Sequence, residues 1–243
     1  MREGGPEPKL APVPDIGLLR SIRLIATTPQ TWICSLYATT NFATMLAFVG
    51  LWGVPYMMEA HDLSRPAAAA STSLALIGFG IGSPLFGWFS DYLGRRKAPM
   101  LISALGVLAT FWLIIYGPQL PLSAIDVLLF ACGIFQGGAV LGFPAAREHN
   151  LPGADGTTLG FINTISVSSG AILQPLIGYI LDLNWNGRME AGAQVFSVEA
   201  YRTAFLTLLA ACGIAVVTAF LVRETFCRQV QRDASPWPPS RPS

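Results

Sequence analysis

Six long apolar segments constrain the fold of this chain more than any other feature. The hydrocarbon core of a bilayer is about 30 Å thick, and a helix needs about 20 apolar residues to cross it. Each of the six segments comes close to that length or exceeds it. We therefore predict an all-α membrane protein with six transmembrane helices, numbered here as spans 1 to 6. Their expected bounds are Trp32–Tyr56, Ala67–Phe89, Ala98–Tyr116, Ser123–Phe143, Thr157–Leu181 and Ala200–Val222.

The composition agrees with a membrane location and argues against several other classes of protein. Charged residues make up 12% of the chain and hydrophobic residues 52%, whereas charged residues are about 25% of an ordinary soluble domain. A net charge of +1 gives no electrostatic support for nucleic-acid binding. The four cysteines lack the spacing of a metal site or of a disulfide framework. We therefore expect no nucleic-acid partner, no metal and no cofactor.

The basic residues predict the orientation of the spans. Lys and Arg are enriched in the cytoplasmic loops of membrane proteins. When alternate loops are assigned to opposite sides, only Arg65, Arg188 and Arg202 of the 15 basic residues fall on the side away from the termini. Both termini are therefore expected in the cytoplasm, and a bacterial inner membrane is the expected location.

The domain organisation follows from the spans. Residues 28–225 are expected to form one six-span transmembrane domain. Residues 1–27 contain several prolines and are interpreted as a cytoplasmic leader or linker. Residues 226–243 are rich in Pro and Ser near their end, a composition typical of disorder, and are interpreted as a cytoplasmic tail.

A short pattern occurs at the end of both span 2 and span 5. Residues 84–91 and 175–182 both have the form Pro-Leu-x-Gly-aromatic-x-x-Asp. Spans 2 and 5 run in opposite directions through the membrane, so the pattern predicts an inverted repeat of three spans plus three. Such repeats are common in transporters.

A charged hairpin joins spans 2 and 3, and it carries Gly87, Asp91, Gly94, Arg95 and Arg96. These residues match the signature loop of the major facilitator superfamily, which the hairpin therefore resembles. That loop reads Gly-x-x-x-Asp-[Arg/Lys]-x-Gly-[Arg/Lys]-[Arg/Lys], and Tyr92 departs from it because the family usually has a cation there. The resemblance implies a gating loop that stabilises one access state by contacting an opposite six-span half. An alternative is that the basic cluster only orients the hairpin during membrane insertion.

The resemblance also implies a missing partner, because members of this superfamily have twelve spans. The long leader resembles the loop that joins the two halves. The closing stretch resembles the cytoplasmic end of the last helix and reads Phe220-Leu221-Val222-Arg223-Glu224-Thr225. The chain is therefore interpreted as the C-terminal six-span half, expected to pair with a second half on a separate chain or in a homodimer.

Polar residues at helical spacing suggest a solute pathway within the predicted bundle. A polar side chain in hydrocarbon costs free energy unless it faces a partner or water. One ring of spans 1, 2, 4 and 5 around a cavity would satisfy this need and leave the apolar spans 3 and 6 outside. Hydrogen bonds between helices are the alternative role for the same side chains. The candidate pathway residues are Tyr37, Asn41, Thr44, Gln136, Asn163 and Gln174.

These features together predict transmembrane transport of a small solute by alternating access, as one half of a secondary transporter embedded in the lipid bilayer. The alternative is a non-transporting membrane remnant or a regulatory or assembly subunit. An enzyme is not expected, because His61 and His149 fall on opposite sides and no catalytic spacing surrounds them. Arg147-Glu148-His149 is interpreted as a solvated loop.

Overall fold

The computed structural model describes residues 17–190 and 192–229, and it confirms the six predicted spans. Most spans extend a few residues beyond the predicted apolar bounds. The largest extensions are at the ends of spans 1 and 4, which continue to His61 and Glu148. Most of the predicted leader and tail, residues 1–16 and 230–243, lies outside the described residues. The spans are Pro29–His61, Arg65–Leu93, Lys97–Tyr116, Leu122–Glu148, Asp155–Leu183 and Val198–Leu221.

A short helix, α1 (Leu18–Thr27), precedes span 1 within the segment interpreted from sequence as leader. It ends because Thr28 stands before a proline, which disfavours helical backbone in the preceding residue. Thr28 accordingly adopts extended backbone angles, with φ −88° and ψ 108°. Pro29 then occupies the first turn of span 1, where its missing N–H costs nothing.

Spans 1 and 4 are each interrupted by a segment of different helical pitch. Span 1 consists of α2 (Pro29–Thr44), a π-helical segment (Met45–Trp52) and α3 (Gly53–His61). Span 4 consists of α6 (Leu122–Gln136), a 3₁₀ segment (Gly137–Leu141) and α7 (Gly142–Glu148). Changes of pitch within a helix often mark hinges or functional positions.

The other four spans are single helices. They are α4 (Arg65–Leu93), α5 (Lys97–Tyr116), α8 (Asp155–Leu183) and α9 (Val198–Leu221). Between α8 and α9 lies a small antiparallel hairpin of β1 (Met189–Glu190) and β2 (Ala193–Gln194), in which Met189 pairs with Gln194. Arg188, just before β1, pairs with Glu59 at the end of span 1, with 2.7 Å between Nη1 and Oε1.

Two buried clusters form the core, one towards each end of the bundle. Aromatic rings from spans 1, 3 and 6 build the cluster at the end away from the charged hairpin. There Phe48 meets Phe111 and Phe205 edge-on, with ring centroids 5.3 and 5.4 Å apart. The second cluster lies nearer the hairpin and includes Tyr37 and Met100. These contacts join spans 1, 3 and 6 at both levels of the bundle.

Spans 2 and 4 pack with their backbones in contact along a seam of glycines. A Cβ on Gly78 would come within 2.2 Å of Phe130 O, and one on Gly82 within 2.2 Å of Ile134 O. From the opposite side, a Cβ on Gly133 would lie 2.1 Å from Ala75 O. Small residues are the usual means of close helix packing in membranes. Gly80 lies off this seam and has no such neighbour within 4 Å.

Spans 2 and 5 expose the largest share of their surface. In the most apolar 18-residue stretch of each helix, only 33% of span 2 and 28% of span 5 is buried. The same share is 50% for span 3 and 44% for span 6. Span 6 packs on spans 1, 3 and 5, and span 3 packs on spans 4 and 6. The apolar spans 3 and 6 are therefore well integrated into this bundle, and the broadest uncovered surfaces belong to spans 2 and 5.

The glycine seam generates a prediction with a matched control in the same helix. We expect Gly82→Ala to lower the free energy of unfolding by about 1–3 kcal/mol, because the new methyl group collides with the backbone of span 4. Gly80→Ala, which meets open space, should be neutral or slightly stabilising. Denaturant titration of the two variants in micelles measures the difference, and equal stabilities would contradict the seam.

Candidate gating latch and polar pathway

The candidates predicted from sequence lie mainly in two groups of polar residues: a hydrogen-bonded set inside the bundle and a charged cluster at the hairpin. In the first, the Tyr37 hydroxyl is fully buried and lies 2.9 Å from Gly138 O and 3.2 Å from Ser103 Oγ. Ser103 in turn donates to Phe135 O at 2.8 Å and accepts from Asn41 Nδ2 at 3.2 Å. This set ties span 1 to spans 3 and 4.

A second part of the same set links Gln136 to span 1. Gln136 Nε2 donates to Thr44 Oγ1 at 2.5 Å, and Thr44 donates to Asn41 O at 3.2 Å. Asn41 and Gln136 are 1% and 2% exposed, and within residues 17–190 and 192–229 their side-chain oxygens have no hydrogen-bond donor. Tyr37, Asn41, Thr44 and Gln136 therefore point into the bundle, an arrangement that supports the packing alternative for these four in this conformation.

Asn163 and Gln174, the two candidates on span 5, are placed differently. They are eleven residues apart, so they fall within about 20° of each other around the helix. Asn163 is exposed. Gln174 is half-buried and donates from Nε2 to Leu46 O in the π-helical segment at 2.8 Å. The indole N–H of Trp52 donates a hydrogen bond to Gln174 O at 3.1 Å. The structure thus does not gather all six candidates around one cavity.

The charged hairpin turns at Gly94, the residue that the pattern places there. Its φ of +60° lies in the left-handed region, which favours glycine. Ser90 Oγ donates to Arg95 O across the turn at 2.9 Å. Gly87 has no atom of the described chain within 4 Å of a Cβ position, so it makes no close approach inside this bundle. The turn brings Arg96 back over the end of span 2.

Arg96 is the centre of a partly buried charged group, the latch cluster, formed by Ser90, Asp91, Arg96 and Glu148. Its Nη2 lies 2.7 Å from Glu148 Oε1, its Nη1 lies 2.7 Å from Asp91 Oδ1, and Nη1 also donates to Ser90 Oγ at 3.0 Å. Burial alone lowers the pKa of the guanidinium. The hydrogen bonds to Glu148 and Asp91, together with the negative charge of Glu148, outweigh that effect, so the pKa of Arg96 is raised. Arg96 is therefore held as a cation.

The two carboxylates of the latch cluster differ in exposure. The Glu148 side chain is 8% exposed and lies beneath Arg96, whereas that of Asp91 is 68% exposed. Arg96 is the described partner of Asp91, while the neighbouring Arg95 is exposed. The cluster therefore presents one accessible carboxylate above a buried ion pair.

The residues after span 6, 222–229, form a C-terminal strap across this end of the bundle. Glu224 accepts hydrogen bonds from the backbone N–H groups of Arg96 at 2.7 Å and Lys97 at 3.1 Å, at the start of span 3. A carboxylate is favoured at a helix N-terminus, where free N–H groups carry partial positive charge. Thr225 donates its hydroxyl proton to Glu148. The strap thus completes the surroundings of the latch cluster.

The interpretation of residues 147–149 as a solvated loop is wrong for two of the three. Glu148 and His149 are each 6% exposed, because the strap covers them. Burial lowers the pKa of the His149 imidazole, whose Nε2–H donates to Arg223 O at 3.3 Å. Arg147 is exposed and lies 3.7 Å from Asp155. Sequence reasoning also missed Glu224 as a functional candidate, although it lies within the stretch that resembles the end of a last helix.

Comparisons with known proteins give consistent results. A family model of the Major Facilitator Superfamily matches residues 31–241. A gentisate transporter of Corynebacterium glutamicum is 27% identical over 176 residues, 71% of this chain and 38% of the transporter. The membrane sensor protein UhpC of Salmonella typhimurium is 26% identical over 68% of this chain and 38% of the sensor.

A third relative, the inner membrane metabolite transport protein YhjE of Escherichia coli, is 28% identical over 215 residues. The match covers 86% of this chain and 42% of that protein. The chain therefore spans about two fifths of the length of the curated relatives it matches.

The difference in exposure within the latch cluster predicts unequal effects on stability. Glu148→Gln leaves the Arg96 cation without its buried partner and should cost about 3–5 kcal/mol of unfolding free energy. Asp91→Asn removes a largely exposed charge and should cost less than about 1 kcal/mol. Denaturant titration of both variants tests this, and a loss for Asp91→Asn as large as that for Glu148→Gln would contradict the assigned geometry.

Proposed function

The chain belongs to the major facilitator superfamily, and we propose that it forms one half of a secondary transporter that moves a small solute by alternating access. It is an integral membrane protein, and membership of this family supports a carrier rather than an enzyme. The lengths of the relatives support the existence of a second half, because these proteins are more than twice as long as the region that matches this chain. That half would be a separate chain, a second copy of this chain or a further part of the same polypeptide.

The observation that carries this proposal is the exposed Asp91 carboxylate held above a buried ion pair. Arg96 takes one oxygen of Asp91 and is itself fixed by Glu148, so the carboxylate is positioned without being covered. A helix N-terminus or a cation of the second half could bind the remaining oxygen. We propose that this contact, with the hairpin of Gly87, Gly94 and Arg95, latches the two halves in one access state.

The exposed surfaces of spans 2 and 5 support the same arrangement. Both are helices of 29 residues with one internal proline, Pro84 in span 2 and Pro175 in span 5. We propose that these spans are inverted-repeat counterparts and that they face the second half. The chain would then be the C-terminal half, with both termini in the cytoplasm of a bacterial cell and the spans in its inner membrane.

The solute pathway is proposed to run along span 5. Asn163 is the exposed polar candidate, and Gln174 on the same side of the helix binds the π-helical segment of span 1. Tyr37, Asn41, Thr44 and Gln136 would hold span 1 against spans 3 and 4 behind the pathway, and would reach the solute only in another conformation. The regulatory alternative has less support, since two of the three relatives described above are transport proteins.

The latch proposal predicts that Asp91→Asn slows transport without reducing the amount of protein. Its contact with the second half would weaken, and we expect at least about a tenfold lower flux, equivalent to about 1.4 kcal/mol. Uptake of labelled gentisate and a panel of small carboxylates into native membrane vesicles measures the flux. Glu199→Gln, an exposed carboxylate at the opposite end, is the control and should behave as wild type. Unchanged flux in Asp91→Asn would exclude the latch.

The pathway proposal predicts a difference between two faces of span 5. Ile172 lies about 180° around the helix from Asn163 and is 64% exposed. In a Cys227→Ser background, Asn163→Cys should react with a water-soluble thiol reagent, and Ile172→Cys, facing lipid, should react at least about tenfold more slowly because thiolates form poorly in hydrocarbon. Equal labelling rates in native membranes would refute an aqueous pathway beside Asn163.

A further inference from the structure

We propose that α1 is a membrane-surface anchor: its apolar side lies in the bilayer interface, and Arg20 and Arg23 bind anionic phospholipid headgroups. The proposal concerns residues outside the spans, and it goes beyond transport, since it holds whether or not the chain carries a solute.

The apolar side of α1 continues beyond the part that packs on the bundle. Ser21 and Ile25 are buried where α1 meets spans 1 and 5. Leu18, Leu19 and Ile22 are 66%, 84% and 41% exposed, and they share an arc of about 100° around the helix. Three large exposed apolar side chains on one ten-residue helix require a covering phase.

Basic residues lie beside the apolar arc of α1. Arg20 and Arg23 are exposed. Arg20 lies about 160° around the helix from Ile22, and Arg23 lies about 100° from Ile22, next to the edge of the arc at Leu19. Neither guanidinium forms an ion pair with residues 17–190 or 192–229, and α1 contains no acidic residue. An apolar face beside a cationic face is the pattern of helices that lie in a membrane interface.

The connection to span 1 places α1 at the membrane boundary. The helix breaks at Thr28, and Trp32 in the first turn of span 1 donates its indole N–H to Ala26 O at 2.8 Å. The Trp32 side chain is 49% exposed and meets Phe161 of span 5 edge-on, at 5.2 Å between ring centroids. Half-exposed tryptophans are typical of the headgroup level. The indole thus joins α1 to the bundle at that depth.

Charge complementarity identifies the covering phase as anionic lipid. The same end of the bundle carries the exposed Arg95 and Arg228, in addition to the two arginines of α1. Anionic lipids attract such basic segments and contribute about 1 kcal/mol for each cation near the surface. A protein surface covering Leu18, Leu19 and Ile22 would need no cations beside it, whereas an anionic leaflet binds both sides of α1 at once.

Spin labels on α1 test its position directly. The full chain with Cys227→Ser and either Ile22→Cys or Arg20→Cys is reconstituted in vesicles of phosphatidylcholine and phosphatidylglycerol in equal parts. These two positions lie about 160° apart around the helix. We expect the label at position 22 to collide with oxygen, which concentrates in lipid, and the label at position 20 to collide with a water-soluble nickel complex. Position 22 accessible to nickel, or shielded from both reagents by protein, would overturn the anchor.

Lipid affinity tests the role of the arginines. Retention of phosphatidylglycerol through purification should fall about fivefold for each arginine lost in Arg20→Gln/Arg23→Gln. Arg65→Gln removes one exposed cation at the opposite end of the bundle and should lose far less than Arg20→Gln or Arg23→Gln alone. Equal losses would mean unspecific attraction to the whole surface and would overturn specific binding by α1, as would full retention in the α1 variant.

Discussion

The buried ion pair between Arg96 and Glu148 organises the end of the bundle on which the proposed mechanism depends. It joins the turn after span 2 to the end of span 4, and the strap after span 6 closes over it through Thr225. Removing either partner would lower the stability of the fold, because the remaining buried charge would lack both hydrating water and an ion of opposite charge. The pair therefore fixes the hairpin, and the hairpin fixes Asp91 at the surface.

The number and type of helices could be predicted from sequence, whereas the partners of the hairpin could not. Hydropathy reports how much of a segment is apolar, and six spans follow from that alone. Glu148 lies 52 residues from Arg96, and Glu224 lies 128 residues from it. Only tertiary packing brings these carboxylates to the turn. Glu148 consequently resembled an ordinary loop residue in the sequence.

The polar candidates within the spans illustrate a second limit of sequence reasoning. Helical spacing predicts which residues share a face, but it does not tell whether that face meets a cavity or another helix. Tyr37 and Asn41 of span 1 bond to spans 3 and 4, and Gln136 of span 4 bonds back to span 1. Asn163, in contrast, is exposed. The outward surface of spans 2 and 5 is the place where a second half would complete a pathway.

If this chain works as one half of a two-half transporter, as we propose, its natural complex contains the other half. The chain would be tagged, expressed in its own cells, extracted gently and analysed by mass spectrometry under native and denaturing conditions. We expect a second six-span half in equal amount, as a different chain, as a second copy of the 26.0 kDa chain or within one longer polypeptide. A monomeric 26.0 kDa chain with no stoichiometric partner would contradict it.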